Sequence, residues 1–124
     1  MIRLSKSEEI LMEIIWTKGR AFMKDILDNY PEPKPASTTT ATLLKRMQLK
    51  GFVGFRQFGN SREYYPLIKK TDYFSKHVKG IIKNYFGNSN LRFASFFTTT
   101  GNLSTRELEE LKKIIDGEIK KKKK

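Results

Sequence analysis

The 124-residue sequence predicts a mainly α protein in two parts. Three observations carry that expectation. A helix-capping signature followed by helically spaced apolar residues opens the chain. Two β-prone runs flank Gly59-Asn60-Ser61 near the middle. Large apolar groups then recur at helical spacing from Tyr73 onward. Residues 1–70 are expected to form three helices closed by a β-hairpin, and residues 71–124 a helical region.

Ser5-Lys6-Ser7-Glu8 fits a capping box, in which the Ser5 hydroxyl accepts from the Glu8 N–H and the Glu8 carboxylate reaches back. Behind it Ile10, Leu11, Ile14 and Ile15 make an apolar stripe, widened by Met12 and Trp16, until Gly19 supplies a left-handed stop. A second helix is expected over about Phe22 to Tyr30, burying Phe22, Met23, Ile26 and Leu27, and Pro31, Pro33 and Pro35 end it. A third opens at Ser37 as N-cap, turns Thr40, Leu43, Leu44 and Met47 to one side, and ends at Lys50-Gly51. Phe52 to Phe58 and Arg62 to Leu67 then read as the two strands of a hairpin. Three helices and a hairpin in this order are a winged helix-turn-helix.

Beyond Lys70, Tyr73, Phe74, Val78, Ile81, Ile82, Tyr85 and Phe86 define a helix that starts at Thr71-Asp72 and stops at Gly87. A short apolar piece, Leu91 to Phe97, leads to a Thr98 to Asn102 loop. A second capping box, Ser104 to Glu107, then opens a helix with Leu108, Leu111, Ile114, Ile115 and Ile119 inward. Glu109 with Lys113 and Asp116 with Lys120 have the favourable i,i+4 order. Some 50 residues enclose little core alone, so so many large apolar groups point to a dimer.

Composition narrows the function classes. The formal charge is +12, and there is no Cys, which removes disulfides, thiolate metal sites and a cysteine nucleophile together. No signal-peptide core opens the chain and no apolar run approaches the roughly 20 residues of a membrane span. A cytoplasmic, non-membrane protein is expected. Its single His, His77, lies on a polar helix face, and no Gly-rich phosphate loop is present. No nucleophile, base and orienting group can be assembled, so an enzyme is not expected, nor is any cofactor or metal. Trp16 reads as a core anchor.

The basic charge is concentrated. Between Pro33 and Arg62 there is no Asp or Glu, whereas Lys34, Lys45, Arg46, Lys50, Arg56 and Arg62 all fall there, and Glu32 and Glu63 close the strip. An acid-free strip around a Thr-rich amphipathic helix suits a polyanion with readable edges, namely double-stranded DNA. Ser37, Thr38, Thr39, Thr42, Lys45 and Arg46 are the expected contacts on the third helix, with Thr38, Thr42 and Arg46 aligned at four-residue steps. A Thr hydroxyl bonds to base or phosphate, and its methyl packs on a thymine methyl. Arg46 suits a bidentate guanine contact or a phosphate, with its late position favouring phosphate. Arg56, Asn60 and Arg62 sit on the hairpin, where a wing grazes the minor groove or backbone; ordinary solvated charge on an edge strand is the competing explanation. The Lys120 to Lys124 run reads as a solvated end.

Several stretches together resemble the penicillinase-repressor group of bacterial transcription factors, the BlaI/MecI family. They are Leu4-Ser5-Lys6-Ser7-Glu8 with Trp16 twelve residues after Leu4, Ala36 to Met47 followed by Lys50-Gly51-Phe52-Val53, Arg62-Glu63-Tyr64-Tyr65-Pro66, and Leu108-Glu109-Glu110-Leu111. The resemblance implies a homodimeric repressor that holds a palindromic operator with its winged helix. Dimerisation would use the C-terminal helices, here Tyr73, Phe74, Ile81, Ile82, Tyr85, Phe86, Leu108, Leu111 and Ile115. Similar proteins are inactivated when a membrane sensor-protease system leads to cleavage in that region, around the stretch matching Ala94 to Phe97. Some relatives carry Asn-Phe at the cleaved bond where this chain has Phe96-Phe97. Copper-responsive relatives use a Cys-rich C-terminal motif, which this chain lacks. Two other readings compete: a basic protein that binds nucleic acid without sequence preference, and a winged helix that docks an acidic protein partner.

Overall fold

The computed structural model describes residues 3–123. They form α1 (Lys6–Lys18), β1 (Ala21–Phe22), α2 (Met23–Asp28), α3 (Ser37–Leu49), β2 (Val53–Phe58), β3 (Ser61–Pro66), α4 (Lys70–Tyr85), α5 (Asn90–Thr100) and α6 (Thr105–Lys122). Two compact units result, Met1–Lys76 and His77–Lys124. The first is a winged helix-turn-helix.

In α1 the capping box forms as the sequence predicts: Glu8 N donates to Ser5 Oγ at 3.2 Å and Ser5 N to Glu8 Oε1 at 2.8 Å. Gly19 ends the helix at φ 77°, a region an L side chain rarely adopts. The next two residues differ from expectation. Ala21 and Phe22 pair with Tyr64 and Glu63 as a third strand, giving sheet order β1-β3-β2. Helix α2 therefore starts at Met23 rather than Phe22, with the Asp25 carboxylate accepting from Phe22 N at 3.0 Å. It also stops at Asp28, because Asn29 folds back to donate to Asp25 O at 2.7 Å.

Helix α3 begins one residue earlier than its polar sequence suggests. Ala36 is the N-cap, its carbonyl accepting from Thr40 N at 3.1 Å, so Ser37 is the first helical residue and not the cap. Thr40, Leu43, Leu44 and Met47 face inward. Leu43, Leu44 and Met47 meet Leu11, Met12 and Ile15 of α1, Ile26 of α2, Phe52, and Val53 and Tyr64 of the sheet in one core. Truncating any of these Leu, Ile or Met side chains to Ala would cost about 2–5 kcal/mol.

The start of α4 closes this unit. Tyr73 is fully buried, its hydroxyl accepting from Leu4 N at 3.2 Å and donating to Glu9 Oε2 at 2.9 Å. Trp16 is half-buried against Tyr73 and Phe74 and donates from Nε1 to Ile68 O at 2.8 Å. It is an anchor, as its place on the α1 stripe predicts.

In the second unit α5 is longer than the expected apolar piece and absorbs the expected Thr98 to Asn102 loop as far as Thr100. Thr98 Oγ1 donates to Ala94 O at 2.8 Å and Thr99 Oγ1 to Ser95 O at 2.7 Å, so the hydroxyls bond back along the helix and do not break it. Phe86 packs on Phe93 and Phe96 with ring centroids 5.5 and 5.3 Å apart. Helix α6 is capped by Ser104 and Glu107. No residue of α5 or α6 is buried. Of the apolar side chains expected inward on α6, Leu108, Ile114, Ile115 and Ile119 thus face solvent within one chain and Leu111 is half-buried. Among the described residues its ion pairs are Arg106–Glu110 and Glu118–Lys121, both at 3.3 Å, in place of the two pairs expected from spacing.

Candidate nucleic-acid interface

Helix α3 is held at its C-terminal end by a lock that spans the first unit. Lys50, its C-cap, places Nζ 2.6 Å from Glu8 Oε1 on α1, and Glu8 is almost wholly buried. Burial pushes the Glu8 carboxyl up, but the Lys50 ammonium and the Ser5 backbone and hydroxyl bonds outweigh it and hold it below its ordinary value. Glu8 thus serves the α1 cap and the seating of α3 at once. Lys50 is in turn removed from the cations available to an external anion.

With its apolar side fixed, α3 turns Ser37, Thr38, Thr39, Thr42, Lys45 and Arg46 outward, and all six are exposed. Lys45 and Arg46 have no ion-pair partner among the described residues. No acid occupies the first turn, so the positive end of the helix dipole is not offset there. Thr42 Oγ1 donates to Thr38 O at 3.0 Å. Its hydroxyl proton is spent within the helix, which leaves a lone pair able to accept from a base amino group and a methyl able to meet a thymine methyl. Thr40 instead is buried and donates to Ala36 O at 3.2 Å, the structural role its inward position predicts.

The hairpin separates its two arginines. Arg56 pairs with Glu63 and Arg62 with Gln57. Alternation along the strands therefore puts Arg56, with Phe58 and Phe22, on one face of the sheet, and Arg62, with Phe55 and Tyr64, on the other. Arg62 lies 4.3 Å over the Phe55 ring and Arg56 5.5 Å from that of Phe58. Asn60 stands exposed in the two-residue turn after Gly59, whose φ is 58°. Ser61, expected in the turn, is the first residue of β3.

The residues expected to dimerise divide into two groups. Tyr73 is not on an open surface: it is fully buried in the first unit, because its hydroxyl bonds to α1 and to Leu4. Ile82 is buried as well. Phe74, Ile81, Tyr85, Leu108 and Ile115 are exposed, while Phe86 and Leu111 are half-buried. Val78, Ile114 and Ile119 extend the exposed set. Phe96 and Phe97 are exposed on α5. His77 is half-buried, and no group of acidic or His side chains among the described residues could hold a metal ion. No helix among them is long and apolar enough to cross a membrane. The Glu8–Lys50 lock had no signature in the sequence, since 42 residues separate its partners.

Comparison with known proteins places these features in context. The family model described as penicillinase repressor matches residues 4–117. The methicillin resistance regulatory protein MecI of Staphylococcus aureus strain N315 is 29% identical over 114 residues, covering 91% of this chain and 93% of the relative. MecI of Mammaliicoccus sciuri is 28% identical with the same coverage. The penicillinase repressor of Staphylococcus aureus is 27% identical over 121 residues, 97% of this chain and 96% of its own. A solved structure of the CopR repressor aligns at 30% identity and a TM-score of 0.46 over 55% of this chain and 100% of its own.

Proposed function

The chain belongs to the penicillinase repressor family and is a transcriptional repressor; from that premise we propose that it acts as a homodimer on a palindromic operator. In this reading α3 enters the major groove. Thr38, Thr39 and Thr42 meet base edges, Ser37, Lys45 and Arg46 meet phosphates, and Arg56, Asn60 and Arg62 bring the wing to the backbone. The observation that carries it is the two-sided character of α3: an apolar side sunk in the core, and an acid-free Thr, Lys and Arg side wholly open. A helix with that pattern, pinned at one end by Glu8 and Lys50, is rigid enough to read sequence.

The apolar stripe of α6, with Leu108, Ile115 and Ile119 exposed in the single chain, supports dimerisation through the second unit. Two copies related by a two-fold axis would present two α3 helices to inverted half-sites. Relief by proteolysis fits the same arrangement, since a cut at Phe96–Phe97 would separate α6 from the DNA-binding unit and weaken the pair. Both side chains are open to solvent on α5, which a protease partner, linked to a sensor, would have to unwind locally.

Selection of duplexes from a random pool by the full chain tests the proposal. An inverted-repeat motif bound by two chains is the expected product. Equal retention of all sequences would leave a non-specific basic protein, and no retention at moderate salt would leave a protein-docking module.

A further inference from the structure

We propose that Phe58 reads the minor groove from the tip of the wing and rejects G·C pairs beside each half-site, an inference that rests on the DNA-binding reading above. Phe58 is the last residue of β2, next to the Gly59-Asn60 turn, and the residue is 47% exposed. A scattered exposed apolar side chain is ordinary. This one is held in place: its ring meets Phe22 edge-on at 5.9 Å, and the Arg56 guanidinium lies 5.5 Å from its centroid. The side chain across the ladder is Ser61, small enough to leave the outer part of the ring uncovered.

The surroundings match a phosphate-walled slot with an apolar interior. Lys24, Asn60 and Arg62 line, with Phe22, a neighbouring recess of about 340 Å³ that Phe58 itself does not line; on its own face of the sheet Phe58 has Arg56 and, across the ladder from Arg56, Glu63. The Arg56 guanidinium beside the fixed Phe58 ring, the Asn60 amide in the adjoining turn, and Lys24 and Arg62 at the neighbouring recess complement the minor groove, whose rails are phosphates and whose walls are sugars. The floor of that groove differs between pairs in one respect. A·T pairs show acceptors only, and G·C adds the guanine N2 amino donor. A benzene edge offers that donor no acceptor and occupies its space, so a G·C step under Phe58 loses both contact and hydration.

The test uses a duplex selected by the wild-type chain, with the pairs flanking each half-site set in turn to A·T, inosine·cytosine and G·C. Inosine lacks the N2 amino group but keeps the major-groove edge of guanine. The wild type is expected to hold the A·T and inosine·cytosine duplexes alike and the G·C duplex about tenfold more weakly, within the usual cost of one wrong pair. Phe58→Ala, and Phe58→Thr as a second strand-compatible variant, should hold all three alike. Phe22→Ala, which removes the ring that holds Phe58 edge-on, should reduce the discrimination without abolishing it, since Phe58 itself remains. Discrimination retained by both Phe58 variants, or absent from the wild type, would overturn the inference while leaving DNA binding intact. Equal loss in Phe22→Ala would overturn it in favour of a role as a staple. Failure of the wild type to select any duplex would remove the DNA-binding reading and this inference together.

Discussion

Replacing both open cations of α3, Lys45→Ala with Arg46→Ala, tests the electrostatic part of the interface in numbers. Both side chains are exposed and neither is engaged in an ion pair among the described residues, whereas Lys50, the next cation along, is committed to Glu8 at 2.6 Å. In a dimer the double variant removes four phosphate neutralisations. At about −0.9 per phosphate, the slope of log affinity against log salt should become shallower by about 3.6. Between 50 and 200 mM salt the advantage of the wild type over the variant should then shrink by about 150-fold. Fluorescence anisotropy on a labelled duplex at four salt concentrations measures this directly. A slope change below about 1 would mean that neither side chain neutralises phosphate. A loss concentrated on one base pair, with the slope kept, would move Arg46 to a guanine.

Three further expectations follow from single contacts. Thr42→Val keeps a methyl but removes the hydroxyl that now donates to Thr38 O; selection should show relaxed preference at one pair per half-site, with the salt slope unchanged. Glu8→Gln should destabilise the first unit by about 2 kcal/mol in urea denaturation, because it weakens the cap and leaves Lys50 without its anion. Since the folded Glu8 carboxyl sits below its ordinary value, its contribution is complete above the unfolded value and is lost as pH falls through the folded one. Stability of the wild type should therefore drop more steeply than that of Glu8→Gln below about pH 5. Ile115→Glu, on the exposed α6 stripe, should weaken self-association by about 10²-fold or more in sedimentation velocity, two apolar side chains being lost per dimer; unchanged association would place the dimer contact elsewhere.

Elements that sequence announces through local chemistry appear where it puts them. Ser5 and Glu8, or Ser104 and Glu107, are neighbours whose hydrogen bonds need nothing distant, and the apolar stripes of α1 and α3 define their buried sides. What depends on remote partners was not legible. Ala21 and Phe22 become a strand only because β3 offers a free edge; the two residues carry no strand signature of their own, and Phe22 reads as the start of the expected α2. Tyr73 reads as one more apolar helix residue, and only the approach of Leu4 and Glu9 to its hydroxyl commits it to the first unit. Thr98 and Thr99 resemble a loop until their hydroxyls return to Ala94 and Ser95. The outward composition of α3 was readable, but its fixation by Glu8 and Lys50 was not.

The chain contains no Cys, so Thr42→Cys gives a unique point on α3 for attaching an iron chelate that cleaves nearby DNA. Mapping the cuts on a selected duplex is the most direct test of α3 as the reading element of a symmetric pair. Two clusters of cuts, equivalent under two-fold symmetry and about one helical turn apart or a multiple of it, are the expected result. A single cluster, an even ladder, or an uncut duplex that is nonetheless bound would contradict it.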